Sequence, residues 1–83
     1  MHGEHMAKGA ALVEHAIHWH ETAQQDTSPV LAARHADFAI SYLNAAREIL
    51  PDRALEQAAR VDVHALHETL DTAQRAHAAA FNK

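Results

Sequence analysis

The two prolines are the feature of the sequence that most constrains the fold. Pro29 follows the polar run 24–28 and Pro51 follows Leu50, and a proline fits the first turn of a helix but not its interior. Ser28 is a good N-cap in front of Pro29, and Asp52 favours the positively polarised start of a helix after Pro51. The prolines therefore divide the chain into the segments 7–25, 29–50 and 52–81.

All three segments have helical composition. Each is rich in alanine and other strong helix formers and contains few β-branched residues. Because the connections between them are short, successive helices should run antiparallel. We predict an all-α fold, an antiparallel three-helix bundle made of a helical hairpin plus a third long helix. Residues 7–83 form this single domain, and we interpret residues 1–6 as an expression leader or N-terminal extension.

Helical periodicity predicts which side of each segment is buried. In the first segment we expect Met6, Leu12, Val13, Ala16, Ile17, His20 and Ala23 to face the core, with Trp19 at the edge. In the second we expect Leu31, His35, Phe38, Ala39, Tyr42, Ala46 and Ile49. In the third we expect Leu55, Ala59, Val63, Leu66, Leu70, Ala73, His77 and Phe81.

The apolar arc of the second segment is wider than one neighbouring helix needs. Hydrophobic residues make up 48% of the chain, but many are alanine, so a chain of 83 residues can build only a slim core. The surplus predicts an interaction surface and an oligomer, with either a second copy or another helical protein as partner. We assign this surface to Trp19, Ile40, Leu43, Leu50 and Val61. The alternative is that the middle helix simply packs on both of its neighbours.

Histidines suggest a second kind of site. If the segments fold back at the two turns, His20, His35 and His67 fall at one level of the bundle. Three neutral imidazoles would suit a transition metal such as zinc or nickel. The alternative, which we favour, is that these histidines form hydrogen bonds inside the core and that the chain needs no cofactor.

Composition excludes several other functions. The net charge of −4, without a basic stripe, argues against nucleic acid as a partner, and the sequence lacks an apolar run long enough to cross a membrane. It has no cysteine, no phosphate-binding glycine loop and no nucleophile motif, so we do not expect an enzyme. A cytoplasmic location is the default for such a chain.

These features together predict a non-enzymatic protein–protein interaction or assembly module that associates with itself. The alternative is a metal- or pH-responsive binding protein that uses core-facing histidines, since the chain contains nine of them.

Overall fold

A computed structural model describes residues 2–82, and Met1 and Lys83 lie outside the described part of the chain. Within this part the chain forms four α-helices: α1 (His2–Gln25), α2 (Pro29–Ile49), α3 (Asp52–Ala59) and α4 (Val63–Phe81). The all-α prediction is confirmed. None of the four described helices is both long and apolar enough to cross a membrane.

The prolines mark helix starts as predicted. Pro29 opens α2, and the Leu31 backbone N–H donates a 3.3 Å hydrogen bond to the Ser28 hydroxyl, which caps the helix. Pro51 directly precedes α3. Arg47 near the end of α2 holds both carboxylate oxygens of Asp52 at 2.9 Å, which fixes the turn between α2 and α3.

The prediction of three helices is wrong, because the expected long third helix is broken at residues 60–62. Arg60 adopts the left-handed conformation with φ 58° and ends α3, and Asp62 caps α4 by accepting a 3.0 Å hydrogen bond from the Ala65 backbone N–H. The Glu56 carboxylate accepts another from the Val63 N–H at 3.1 Å. These side chains satisfy the backbone groups that the break exposes.

The first helix also begins earlier than predicted. Residues 2–6, which we had separated from the domain, continue α1 without interruption. Further along the same helix, α3 lies against α1 at Gly9, where an added Cβ would come within 2.8 Å of a methyl group of Leu55.

The described chain is a slender rod of 47 × 17 × 17 Å. The helices α1 and α2 form an antiparallel hairpin, and α4 runs antiparallel to α2 on its other side, where Gln74 donates a 2.7 Å hydrogen bond to Asp37. The core cluster between these helices has only three buried leucines, Leu43, Leu55 and Leu70, with Val13, Val63 and several alanines around them.

Candidate interaction surface

The buried stripe of α2 consists mostly of small side chains. It comprises Ala32, Ala36, Ala39, Leu43 and Ala46, which repeat at alternating intervals of four and three residues. We call this stripe the inner seam. It lies against Val13, Ala16 and Ala23, the buried positions of α1. Small residues on both helices allow their backbones to approach closely, and Leu43 and Val13 are the larger apolar side chains buried among them.

A second stripe of α2 repeats with the same spacing one position earlier along the chain. It comprises Leu31, His35, Phe38, Tyr42, Ala45 and Ile49, and we call it the outer seam. Leu31, Phe38 and Ile49 are exposed by 43%, 41% and 38%, and the other three are partly buried. Intervals of four and three residues that recur along a helix are typical of a helix that packs against a partner helix.

Beside the outer seam, α1 contributes the aromatic ring of Trp19. Its ring centroid lies 5.2 Å from that of Phe38 in an edge-on arrangement and 4.8 Å from that of His35. About one helical turn from Trp19 and Phe38, the ring centroids of His15 in α1 and Tyr42 in α2 lie 5.2 Å apart. These are favourable separations for aromatic pairs, so the rings form a continuous patch that joins the two helices.

The patch borders a shallow groove of about 380 Å³ along the hairpin. It is lined by Leu12, Trp19, Phe38, Ser41, Tyr42 and Ala45. Five of these residues are aliphatic or aromatic, and the sixth is Ser41. The side-chain hydroxyl groups among them are those of Ser41 and Tyr42. A groove of this composition suits an apolar side chain of a partner better than a polar ligand.

A hydrogen bond between His35 and Asp26 fixes one end of the patch. His35 Nδ1 lies 2.7 Å from the Asp26 carboxylate, and both side chains are 17% exposed. Asp26 follows the last turn of α1, where its backbone N–H bonds to Thr22. The carboxylate accepts a hydrogen bond from the Nδ1–H group, and this bond orients the imidazole ring of His35 against Trp19.

The interaction surface that we predicted from sequence needs correction. Leu43 is fully buried and belongs to the inner seam, so its assignment to a surface is wrong. Ile40, Leu50 and Val61 are partly buried and pack against the core of the chain itself, as Trp19 also does. Of the five predicted residues, Trp19 alone belongs to the aromatic patch.

The predicted layer of three histidines does not form. Successive residues of a helix project 100° apart. His20 therefore continues the buried stripe of α1 at positions 13, 16 and 23, whereas Trp19 lies to one side of that stripe. His35 lies on the Trp19 side, whereas His20 lines a different groove, of about 650 Å³, between α1 and α4. His67 is partly buried on α4.

Among the side chains that the structure describes, those of residues 3–82, no three His, Cys, Asp or Glu are close enough together to hold a metal ion. His20, His35 and His67 are therefore not assembled into a metal-binding group, and their binding of zinc or nickel stays a prediction.

Leu31, Phe38 and Ile49 are exposed, although helical periodicity predicts them in the core, whereas Tyr42 packs against the core as predicted. The signal that could have separated the two stripes is the pair of adjacent repeats, one of alanines and one of large residues.

No protein family, curated protein or solved structure matches this chain.

Proposed function

We propose that this chain is a non-enzymatic helical interaction module whose partner is a second copy of itself. The contact surface is the outer seam of α2 together with Trp19 and Leu12 of α1. The observation that carries the proposal is the distribution of apolar side chains, in which alanines make up most of the buried stripe of α2 while Trp19, Phe38 and Tyr42 keep part of their surface in solvent.

The distribution is unusual for a chain that acts alone. Trp19, Phe38, Tyr42 and Phe81 are the only Trp, Phe and Tyr residues of the chain, and none of them is among the fully buried side chains. Aromatic residues bury the largest apolar areas in proteins and are enriched in the buried centres of interfaces. Three of the four lie on one side of the hairpin, where a partner would bury them together.

The solvent-accessible surface area of the chain is also consistent with self-association. The described chain exposes 5438 Å², whereas a monomer of 9.1 kDa is expected to expose about 4,900 Å². The elongated shape of the rod accounts for an excess of this kind, and lateral association of two rods would remove part of the exposed surface from water. A slim core gives the free chain little stability of its own, and small domains commonly compensate by binding a partner subunit.

The test is sedimentation velocity over a wide concentration range. We expect the unmodified chain to move from monomer to dimer as concentration rises. Phe38→Asp places a charge at the centre of the outer seam and should shift the chain to monomer, because an unpaired charge is costly to bury.

Asn44→Asp is the matched control, since Asn44 is an exposed residue of the same helix outside the outer seam and the substitution adds the same charge. It should leave association unchanged. A chain that stays monomeric at all concentrations would contradict self-association and would leave another helical protein as the partner.

A further inference from the structure

The intervals between successive residues of the outer seam are the same when they are counted from either end of the helix. These intervals of four, three, four, three and four residues are symmetric about the level of residue 40. When two copies of α2 pack antiparallel about a two-fold axis at that level, every seam residue meets a seam residue. Leu31 then faces the partner's Ile49, and Phe38 faces the partner's Tyr42.

The sizes of the side chains also match in this register. Leu31 and Ile49 are both large aliphatic residues, so the two ends of the contact are alike. His35 faces the partner's Ala45, which places the large imidazole opposite a small side chain. Interdigitation of large and small residues at facing positions is how helices fill the space between them.

Charged residues beside the outer seam favour the same pairing. Arg34, Ser41 and Glu48 are exposed, lie seven residues apart on one flank of the outer seam, and therefore occupy equivalent positions. In the antiparallel pair, Arg34 faces the partner's Glu48, and the two-fold axis repeats this ion pair at the other end. Ser41 faces the partner's Ser41 near the axis.

These two charges have no ionic partner within the described part of their own chain. The ion pairs in residues 2–82 involve Arg47, Arg75 and two histidines, but neither Arg34 nor Glu48. A parallel pairing would bring Arg34 level with the partner's Arg34, and Glu48 level with the partner's Glu48, so like charges would approach. Orientation of helices by flanking charges is well established for coiled coils.

The remaining sides of α2 are already occupied. The inner seam packs on α1, and the opposite side carries α4 through the hydrogen bond between Gln74 and Asp37. The outer seam keeps exposed side chains along α2, and Arg34 on its flank borders the groove that Ala78 and Phe81 of α4 line.

We infer that two copies of this chain associate through antiparallel pairing of α2 with α2, in the register that joins Arg34 to the partner's Glu48. This inference rests on the proposed self-association, and it specifies which helix mediates it and in which direction.

Charge reversal tests the register. We expect Arg34→Glu and Glu48→Arg each to weaken dimerisation about tenfold, because each replaces two attractive contacts with two repulsive ones. The double variant R34E/E48R restores both attractions and should return the dissociation constant to within about threefold of the original value. Circular dichroism verifies that each variant is folded.

The outcomes separate this inference from the proposed function. If the unmodified chain dimerises but the double variant is no tighter than the single variants, the antiparallel register is wrong and self-association stands. If the unmodified chain does not dimerise, both proposals are overturned.

A cross-linking experiment gives an independent readout. The sequence contains no cysteine, so Ser41→Cys introduces a single thiol near the proposed two-fold axis. A short bis-maleimide should join two such chains efficiently. Asn44→Cys, on the same helix outside the outer seam, is the control, and equal cross-linking of both variants would overturn the register.

Discussion

At the scale of single residues, Gly9 determines how closely α3 approaches α1. A Cβ at this position would lie 2.7 Å from Leu50 Cδ1 and 2.8 Å from Leu55 Cδ2, and Leu55 is fully buried. One methyl group requires these leucine side chains to shift, and a branched side chain requires the helices to separate. We expect Gly9→Val to lower the free energy of unfolding by about 2–3 kcal/mol, measured by urea denaturation.

The control for Gly9→Val is Ala11→Val, at an exposed position of the same helix. It carries the helix-propensity cost of a β-branched side chain, which is a few tenths of a kcal/mol, without the crowding. Similar losses in the two variants would mean that the contact between α1 and α3 at Gly9 is not tight.

The second prediction at this scale concerns Asp26. Asp26→Ala removes the carboxylate that lies 2.7 Å from His35, and should lower the free energy of unfolding by about 1 kcal/mol because the pair is mostly shielded from solvent. The ring of His35, 4.8 Å from that of Trp19, also loses its anchor, so the emission of Trp19 should change.

Glu21→Ala is the comparison for Asp26→Ala, because it removes an equal charge from an exposed position of α1. An unchanged Trp19 emission in the Asp26 variant would show that His35 keeps its position without the carboxylate.

At the scale of elements, the break between α3 and α4 makes a specific prediction. Arg60 holds the left-handed conformation at the end of α3 with φ 58° and ψ 43°, which is costly for a residue with a Cβ and free of that strain for glycine. Arg60→Gly should therefore raise the free energy of unfolding by about 0.5–1 kcal/mol. Gln57→Gly, inside α3, should lower it by about 1 kcal/mol.

If Arg60→Gly destabilises the chain as Gln57→Gly does, residue 60 is helical in solution and the predicted single long third helix is restored. Chemical denaturation of the two variants distinguishes these outcomes.

The elements also show what the sequence can predict. Proline acts through its own covalent structure, so Pro29 and Pro51 mark the starts of α2 and α3 without reference to the rest of the fold. The break at Arg60 has no such local marker. It depends on the side chains of Glu56 and Asp62, which accept backbone hydrogen bonds at the start of α4, and both residues are equally compatible with a continuous helix.

The faces of α2 were harder to predict for a different reason. Periodicity correctly showed that the helix has an apolar arc, but the choice of the buried stripe within that arc followed side-chain size. The pattern predicts Phe38 in the core, whereas Phe38 is exposed and Ala32 and Ala36 are buried. Close approach of α1 and α2 depends on small residues facing each other on both helices, and this match is a property of the pair that one segment does not reveal.

At the scale of the whole molecule, the shape of the rod and the position of the outer seam together predict the shape of the dimer. The rod is 47 Å long and 17 Å wide, and the outer seam runs along most of α2, with the proposed axis near the middle of that helix. Two copies joined there lie side by side, so the dimer should be wider than the monomer but scarcely longer.

Small-angle X-ray scattering measures this difference directly. The radius of gyration of one chain is 13.2 Å over Cα atoms, and two rods in lateral contact, with centres roughly 17 Å apart, should give about 16 Å for the dimer. An end-to-end dimer, with centres separated by the 47 Å length of the rod, would give about 27 Å on the same geometry. Arg34→Glu at the same concentration should return the scattering toward that of the single rod, because it weakens the lateral contact while leaving the fold of each chain intact. A dimer near the larger value would place the contact at the ends of the rod, where Val30 and Phe81 are exposed, and would contradict pairing through the outer seam.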